Sequence, residues 1–334
     1  MQTGPSASDQ TRNPVNSPTS PKTPAAHGST RHKGALLSWL RLLRLPTVFT
    51  ALSNILCGYF ITTRPKVTEI LQQPDLAFLL LASAGLYLGG MVLNDVFDAA
   101  LDAIERPERP IPSGRITVRA AAIAGALLMI SGIISAAFSG VTSLTVALLI
   151  AVAVIAYNAG LKASAAGPLA MATCRFLNLL LGTSSGISLS GLSTGSGIEV
   201  ACGLGLYILG VTWFSRSETG SGHRLGMLTG IVLLLGGLGV DAMAVYRNGA
   251  TTAATNGGCM AILLLGLNLA MRATKAITHP HPIIVQKTVG LMLLSLIFLD
   301  AIMVFSVSGD AKLAAIVIAL VGPAILLRKV IPMS

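Results

Sequence analysis

Ten blocks of about twenty apolar residues, separated by short polar connectors, leave this chain few choices of fold. They run near 46–63, 76–97, 119–139, 143–159, 168–189, 198–214, 225–246, 258–273, 284–306 and 311–328. A helix of that length crosses a hydrocarbon layer about 30 Å thick and satisfies its own backbone hydrogen bonds, which lipid cannot do. A transmembrane barrel would show short alternating segments instead. Only 11% of the residues are charged, less than half of the roughly 25% usual in soluble domains. The expectation is all-α: a polytopic membrane bundle of nine or ten transmembrane helices. The last block, ending before Arg328 and Lys329, decides between the two counts, because it could lie along the interface.

Residues 1–34 are rich in Pro, Ser, Thr and Asn and nearly empty of bulky apolar side chains. Such a segment buries too little surface to fold and is expected to be a disordered tail; it also lacks the core of a secretory signal. Residues 35–334 then form one transmembrane domain. The net charge of +10 does not point to nucleic acid, since aromatic residues make up only 5% and the basic residues are dispersed. Their distribution reads as topology. With ten spans, one side collects Arg31, Lys33, Arg41, Arg44, Arg106, Arg109, Arg115, Arg119, Lys162, Arg216, Arg224, Arg272, Lys275, Lys287, Arg328 and Lys329. The other keeps Arg64, Lys66, Arg247 and Lys312. The N-terminus and the basic loops are therefore expected in the cytoplasm, with the cell inner membrane as the host bilayer. The second and sixth blocks each end in a polar loop on that side, 94–118 and 215–224, as two parallel four-helix units would. Cys57, Cys174, Cys202 and Cys259 lie singly in apolar stretches without metal-ligand spacing and read as core residues.

Chemistry concentrates where the second block meets water. In Asn94-Asp95-Val96-Phe97-Asp98-Ala99-Ala100-Leu101-Asp102 the polar residues fall three and four apart, on one stripe of a helix. Like charges so placed repel unless a cation or a wet cavity accompanies them. Carboxylate and amide oxygens are hard ligands suited to Mg²⁺, which keeps waters and binds together with substrate phosphates. Ionisable groups at membrane depth are costly and mark function more often than a solvated helix end. The loop Glu105-Arg106-Pro107-Glu108-Arg109-Pro110-Ile111-Pro112-Ser113-Gly114-Arg115 then sets three arginines beside the stripe. Guanidinium groups next to metal-binding carboxylates suit a diphosphate, although basic residues alone would be explained by topology.

The run NDVFDAALD followed by RPERPIPSGRIT resembles the first signature of the UbiA superfamily of intramembrane prenyltransferases, and Tyr157-Asn158-Ala159-Gly160-Leu161-Lys162 resembles that family's Y-x-x-x-L-K element. The resemblance spans roughly residues 38–310. It implies a helical bundle around a central cavity open to the cytoplasm and to lipid. There an allylic isoprenoid diphosphate binds through Mg²⁺, and its prenyl group passes to a lipophilic acceptor, often an aromatic ring. Carried over residue by residue, Asn94, Asp95 and Asp98 would bind Mg²⁺–diphosphate, Asp102 would complete the motif, and Arg109 and Lys162 would contact the diphosphate. Tyr157 joins them as a substrate contact.

The second family motif departs from the pattern. Where another aspartate cluster is usual, the chain reads Trp213-Phe214-Ser215-Arg216-Ser217-Glu218-Thr219-Gly220-Ser221-Gly222-His223-Arg224. Glu218 is its one acid, and Arg216 could contact diphosphate oxygens directly. With Cys174-Arg175-Phe176-Leu177-Asn178 upstream, this is similar to the divergent EboC-like branch. Arg175 and Asn178, three apart on the fifth helix, share a face; a spanning arginine should face the interior and seek an anion. Asp241 and Asp300 lie near the ends of their blocks and are expected to be interfacial. The His279-Pro280-His281-Pro282 run reads as a connector, not a metal site. Two rival functions remain open. One is a non-catalytic isoprenoid or lipid carrier with a degenerate second motif; the other is a cation-coupled transporter using Asp95 and Asp98.

Overall fold

Proline, glycine and capping hydroxyls set most of the helix boundaries. Pro46, Pro74, Pro168 and Pro282 stand in first turns, where the missing N–H costs nothing. Thr117 and Thr251 accept from the N–H groups of Ala120 and Ala254 at the starts of their helices. Gly309, at φ +73°, ends another by donating its N–H to the Phe305 carbonyl. A computed structural model describes residues 28–216, 223–279 and 281–330, and every element in them is helical. In order they are α1 (Gly28–Leu43), α2 (Leu45–Thr63), α3 (Pro74–Phe97), α4 (Ala99–Glu105), α5 (Val118–Phe138), α6 (Val141–Ala159), α7 (Gly167–Thr183), α8 (Ser196–Arg216), α9 (His223–Asn248), α10 (Thr252–Thr278), α11 (Pro282–Ser308), α12 (Ala311–Ala319) and α13 (Val321–Val330), with short 3₁₀ turns between some of them.

Among the described residues, nine helical stretches are long and apolar enough to cross a membrane, with 311–329 taken as one stretch that breaks at Leu320. The fifth expected block is the exception. Its helix, α7, has 17 residues and stops at Thr183, so 184–189 leave the helix. Helix α1 begins at Gly28, inside the stretch expected to be tail; residues 1–27 lie outside the described residues.

The two most extensive helix pairings are α3 with α5 and α8 with α9. Both are made by glycines. A Cβ on Gly85 would meet the Leu128 carbonyl oxygen at 2.7 Å, and one on Gly230 would meet the Phe214 amide nitrogen at 2.7 Å. Small residues let backbones touch where lipid gives no hydrophobic drive to associate. Helix α2 is the most buried span. It closes onto α7 at Gly182, whose Cβ would lie 2.6 Å from the Ile55 oxygen. That approach brings α7's Arg175 and Asn178 against α2's Thr50, Ala51 and Asn54.

Asp241 and Asp300, expected near the interface, are buried within the bundle. They are 1% and 2% exposed, because α9 and α11 run past them and turn them onto α2 and α8. Asp300 accepts from Ser53 Oγ at 2.6 Å and Asn54 Nδ2 at 2.8 Å. The Asp241 carboxylate packs against Gly203 of α8, and neither of its oxygens finds a hydrogen-bond partner among the described residues.

Candidate active site

The acidic stripe does not lie on one unbroken helix. Helix α3 ends at Phe97 and α4 starts at Ala99, with Asp98 (φ −86°, ψ −2°) as the break. The turn spacing survives it: Asp98 donates its N–H to the Asn94 carbonyl at 3.0 Å, and Asp102 to that of Asp98 at 2.8 Å. Asn94 Nδ2 reaches Asp98 at 3.1 Å and Asp95 at 3.4 Å. The four polar side chains thus stay together.

Repulsion among them is answered by three cations. Arg109 Nη1 bonds Asp102 at 2.7 Å and stands 3.9 Å from Asp95. Arg44 Nη2 bonds Asp95 at 2.7 Å. Lys162 Nζ bonds Asp98 at 2.5 Å and reaches Asn94 Oδ1 at 3.4 Å. Three charges of each sign balance. They differ in depth: Arg109 is 8% exposed at its side chain, against 26% for Arg44 and 21% for Lys162. Arg109, expected to contact the diphosphate, lies here between two carboxylates, bonded to Asp102 and 3.9 Å from Asp95.

Local sequence explains how each cation arrives. Ile111 and Ile116 bury beside Leu42, Val92 and Ala121 in a small apolar cluster under the loop. Ser113 Oγ donates to the Arg109 carbonyl at 2.7 Å, and Gly114 turns at φ +72°. The loop is pulled down and carries Arg109 inward. Arg106 stays exposed, and Arg115 turns onto Ser113 and the Glu108 carbonyl. Lys162 sits in a 3₁₀ turn, Leu161–Ala163. Arg216 donates to the Ala163 carbonyl at 2.9 Å and to that of Ser164. Arg216 therefore braces the turn that presents Lys162. Glu218 lies outside the described residues.

Arg44 was not among the expected site residues. It joins α1 to α2 in the left-handed region, φ 47° and ψ 43°, a conformation that costs a non-glycine residue of order 1–3 kcal/mol and clusters at functional sites. A lone arginine pressed between Leu43 and Leu45-Pro46 at the foot of the first span was the available signal.

Behind this mouth opens a cavity of about 900 Å³, counting its open end. Arg44, Asn94 and Tyr157 line its outer part, with Leu86, Met91, Ile150, Val154 and Met171 supplying apolar wall. Deeper lie Tyr87, Cys174, Arg175 and Asn178. Asn178 accepts from Ser83 Oγ at 2.7 Å and donates to the Ala51 carbonyl at 2.9 Å, so its polar atoms are engaged by protein. Asn158 also lines the cavity; its Nδ2 holds the Gly90 carbonyl at 3.2 Å while its buried Oδ1 has no partner among the described residues.

The hard-oxygen set of Asp95, Asp98 and Asn94 Oδ1 fits Mg²⁺. It supplies a buried carboxylate, a part-exposed one and an amide oxygen of the cavity-lining Asn94, a set with room for water and phosphate in the coordination shell. Among the described residues no group of three His, Cys, Asp or Glu side chains could cage a metal. His281 uses Nδ1 to accept from the Ile283 N–H at 3.3 Å as a helix cap.

Comparison with known proteins agrees with this architecture. The chain is similar to a digeranylgeranylglyceryl phosphate synthase of Metallosphaera sedula, 35% identical over 145 residues, covering 43% of this chain and 50% of that protein. A second, from Methanothrix thermoacetophila, is 47% identical over 74 residues, covering 22% and 28%. The chain thus spans about half the length, or less, of the curated relatives it matches. Among solved structures, one concerning digeranylgeranylglyceryl phosphate synthase in membranes superposes with a TM-score of 0.59 at 18% identity, covering 83% of this chain and 100% of that one. A UbiA homologue from Archaeoglobus fulgidus bound to DMAPP and Mg²⁺ superposes with a TM-score of 0.55 at 14% identity, covering 78% and 98%. These two establish the fold. The UbiA prenyltransferase family model matches residues 51–331, and the chain belongs to that family.

Proposed function

We propose that the protein is a Mg²⁺-dependent intramembrane prenyltransferase. It would move a prenyl group from an allylic isoprenoid diphosphate to a lipophilic acceptor with an electron-rich carbon or a hydroxyl. The single observation that carries this reading is the balanced set of three carboxylates and three cations at the mouth of an apolar cavity. The names and contents of the relatives support it: glycerol-phosphate lipid synthases by name, and a homologue holding an allylic diphosphate with Mg²⁺.

The mechanism follows from exchange of partners. Asp95, Asp98 and Asn94 Oδ1 would hold Mg²⁺, which when bound neutralises charge growing on the departing diphosphate. Arg44 and Lys162, paired here with Asp95 and Asp98, would be freed from those carboxylates if they held the metal. Both are partly exposed, and both can swing to diphosphate oxygens with charge-assisted hydrogen bonds. Arg109 stays between Asp95 and Asp102 and keeps the metal-binding oxygens in place. The cavity wall takes the prenyl chain and excludes water, so the loosening allylic carbon meets the acceptor before it meets hydroxide. The described lining residues carry no nucleophile–base pair; the acceptor would bond to the allylic carbon as the allylic C–O bond breaks, and the departing diphosphate, itself basic, would take up the proton that the acceptor loses. The basic loops around the mouth support a cytoplasmic opening.

The test is release of diphosphate from geranyl, farnesyl and geranylgeranyl diphosphate by the purified protein in lipid nanodiscs, with and without Mg²⁺. Turnover that needs Mg²⁺ and vanishes in Asp95→Ala is expected. Turnover unchanged in Asp95→Ala overturns the assignment of this cluster. Mg²⁺-dependent donor binding without turnover would move the protein to the carrier reading.

A further inference from the structure

The bundle buries two arginines among its described residues, and their partners differ. Arg109 is ion-paired to Asp102 and Asp95. Arg175, 8% exposed and midway along α7, makes no ion pair. Its Nη2 donates to Thr50 Oγ1 at 3.0 Å and its Nη1 to Asn54 Oδ1 at 3.4 Å, both neutral acceptors, while its guanidinium lies 5.1 Å from the Tyr87 ring centre. A guanidinium has five N–H donors, so these two contacts leave donors unused on a group that lines the cavity. The Asn54 amide that accepts from Arg175 also donates to the Asp300 carboxylate at 2.8 Å, so a bridging side chain links the two. Beside it, Asn178 has its oxygen and its nitrogen engaged by Ser83 and Ala51. Asn158 Oδ1 offers the cavity an unpaired acceptor; the charged donor with unused N–H groups is Arg175.

Its place along the cavity gives that capacity a use. Tyr87 precedes Asp95 by eight residues on α3, which is about 12 Å of helix axis. A diphosphate held at Asp95, Asp98, Arg44 and Lys162 would fill the outer part of that span, leaving its allylic carbon between the mouth and Arg175. An acceptor carrying an oxyanion a few bonds from its nucleophilic atom would bridge the remainder. The anion would sit on the guanidinium and the nucleophile would face the allylic carbon. A desolvated cation facing a cavity without a carboxylate is stabilised by such a ligand.

We propose that Arg175, held by Thr50, Asn54 and Tyr87, is the subsite for an oxyanion of the acceptor, so that the acceptor is an anionic molecule and not a neutral alcohol or phenol. A phosphate monoester and a carboxylate share this chemistry. The proposal rests on the mouth being the diphosphate site, and equilibrium binding tests it without requiring turnover.

The experiment measures binding of four probes to the full chain in nanodiscs: a long-chain glyceryl ether phosphate, its dephosphorylated alcohol, 4-hydroxybenzoate and phenol. The wild type is expected to bind the anionic member of at least one pair about tenfold or more tightly than the neutral member, as a charge-assisted contact allows. Which pair discriminates identifies phosphate or carboxylate as the natural anion. Arg175→Gln should bring that ratio close to one by weakening only the anionic probe, and Arg175→Lys should keep part of it. Mg²⁺-dependent binding of geranylgeranyl diphosphate should be unchanged in both variants.

No discrimination by the wild type in either pair overturns the proposal. So does an Arg175→Gln protein that binds anionic and neutral probes with equal loss, or one that loses the donor instead. If Arg175→Gln does not fold, the wild-type ratios and Arg175→Lys decide. Discrimination without prenyl transfer keeps the subsite and removes the transferase reading; transfer without discrimination does the reverse.

Discussion

Helix pair α3–α5 and helix pair α8–α9 are built by one device and end in different chemistry. Each is an antiparallel pair closed by glycines, and in each a Cβ would run into the partner's backbone, at Gly85 in the first and Gly230 in the second. The first pair runs out into Asn94, Asp95, Asp98 and a loop that buries Arg109. The second runs out into Arg216, which is exposed and bonds backbone carbonyls. Scaffold symmetry and chemical symmetry are thus separate properties. Packing needs small residues at a spacing, and a diverged terminus leaves that spacing untouched. The second pair keeps its structural role and reaches the site only indirectly, by bracing with Arg216 the turn between α6 and α7 that presents Lys162.

The sharpest way to break this comparison is to remove the arginine from each half. Arg109→Met leaves Asp102, 4% exposed, as a buried carboxylate without its partner. Losing one member of such a pair costs about 3–5 kcal/mol. Thermal unfolding in nanodiscs should show a large drop in Tm, and Asp102→Asn in the same chain should recover part of it. Arg216→Gln, whose carbonyl partners return to water, should leave Tm nearly where it was. Equal losses would mean that the second loop is as tightly built as the first.

Next in size are the glycines. Gly85→Leu and Gly230→Leu each force a side chain against backbone, and overpacking of this kind costs about 1–3 kcal/mol or more. Both variants are expected to lose Tm by similar amounts. A tolerated Gly230→Leu beside a damaging Gly85→Leu would show that the halves share a pattern and not a packing geometry.

Much of the fold was legible, for a physical reason: in lipid, long apolar blocks have no alternative to helices. The misreadings fall where tertiary contacts override spacing. Helix α7 is short because it gives way after Thr183 to the turn of Ser184, Ser185 and Gly186, the last at φ +69°. Asp300's place near the end of an apolar block does not reveal that α2 presents Ser53 and Asn54 to it inside the bundle. The carboxylate stripe was readable because helical periodicity places its members together whatever surrounds them. Arg109's actual partners were not, since spacing cannot tell a free loop arginine from one drawn under by Ile111 and Ile116. Arg44 was hidden because its role depends on a left-handed turn that a Leu-Arg-Leu-Pro run does not announce.

The smallest expected effect separates two roles for Arg216. The sequence pattern offers it as a direct diphosphate contact; the geometry makes it a brace for the turn bearing Lys162. Its two hydrogen bonds are exposed, and each is worth about 0.5–1.5 kcal/mol at most. Arg216→Gln should therefore weaken Mg²⁺-dependent donor binding only severalfold, and Lys162→Gln, which removes the cation from Asp98, by about tenfold or more. The double variant discriminates between the roles. If Arg216 acts through Lys162, the loosened turn has nothing left to misplace once Lys162 is gone, and the double variant binds donor as the Lys162 single variant does. If Arg216 touches diphosphate oxygens itself, the two losses add, as independent contacts do. Additive losses would restore a direct diphosphate contact to the second half, and the asymmetry between the halves would then be one of ligand charge: carboxylates for the metal on one side, a guanidinium for the phosphate on the other.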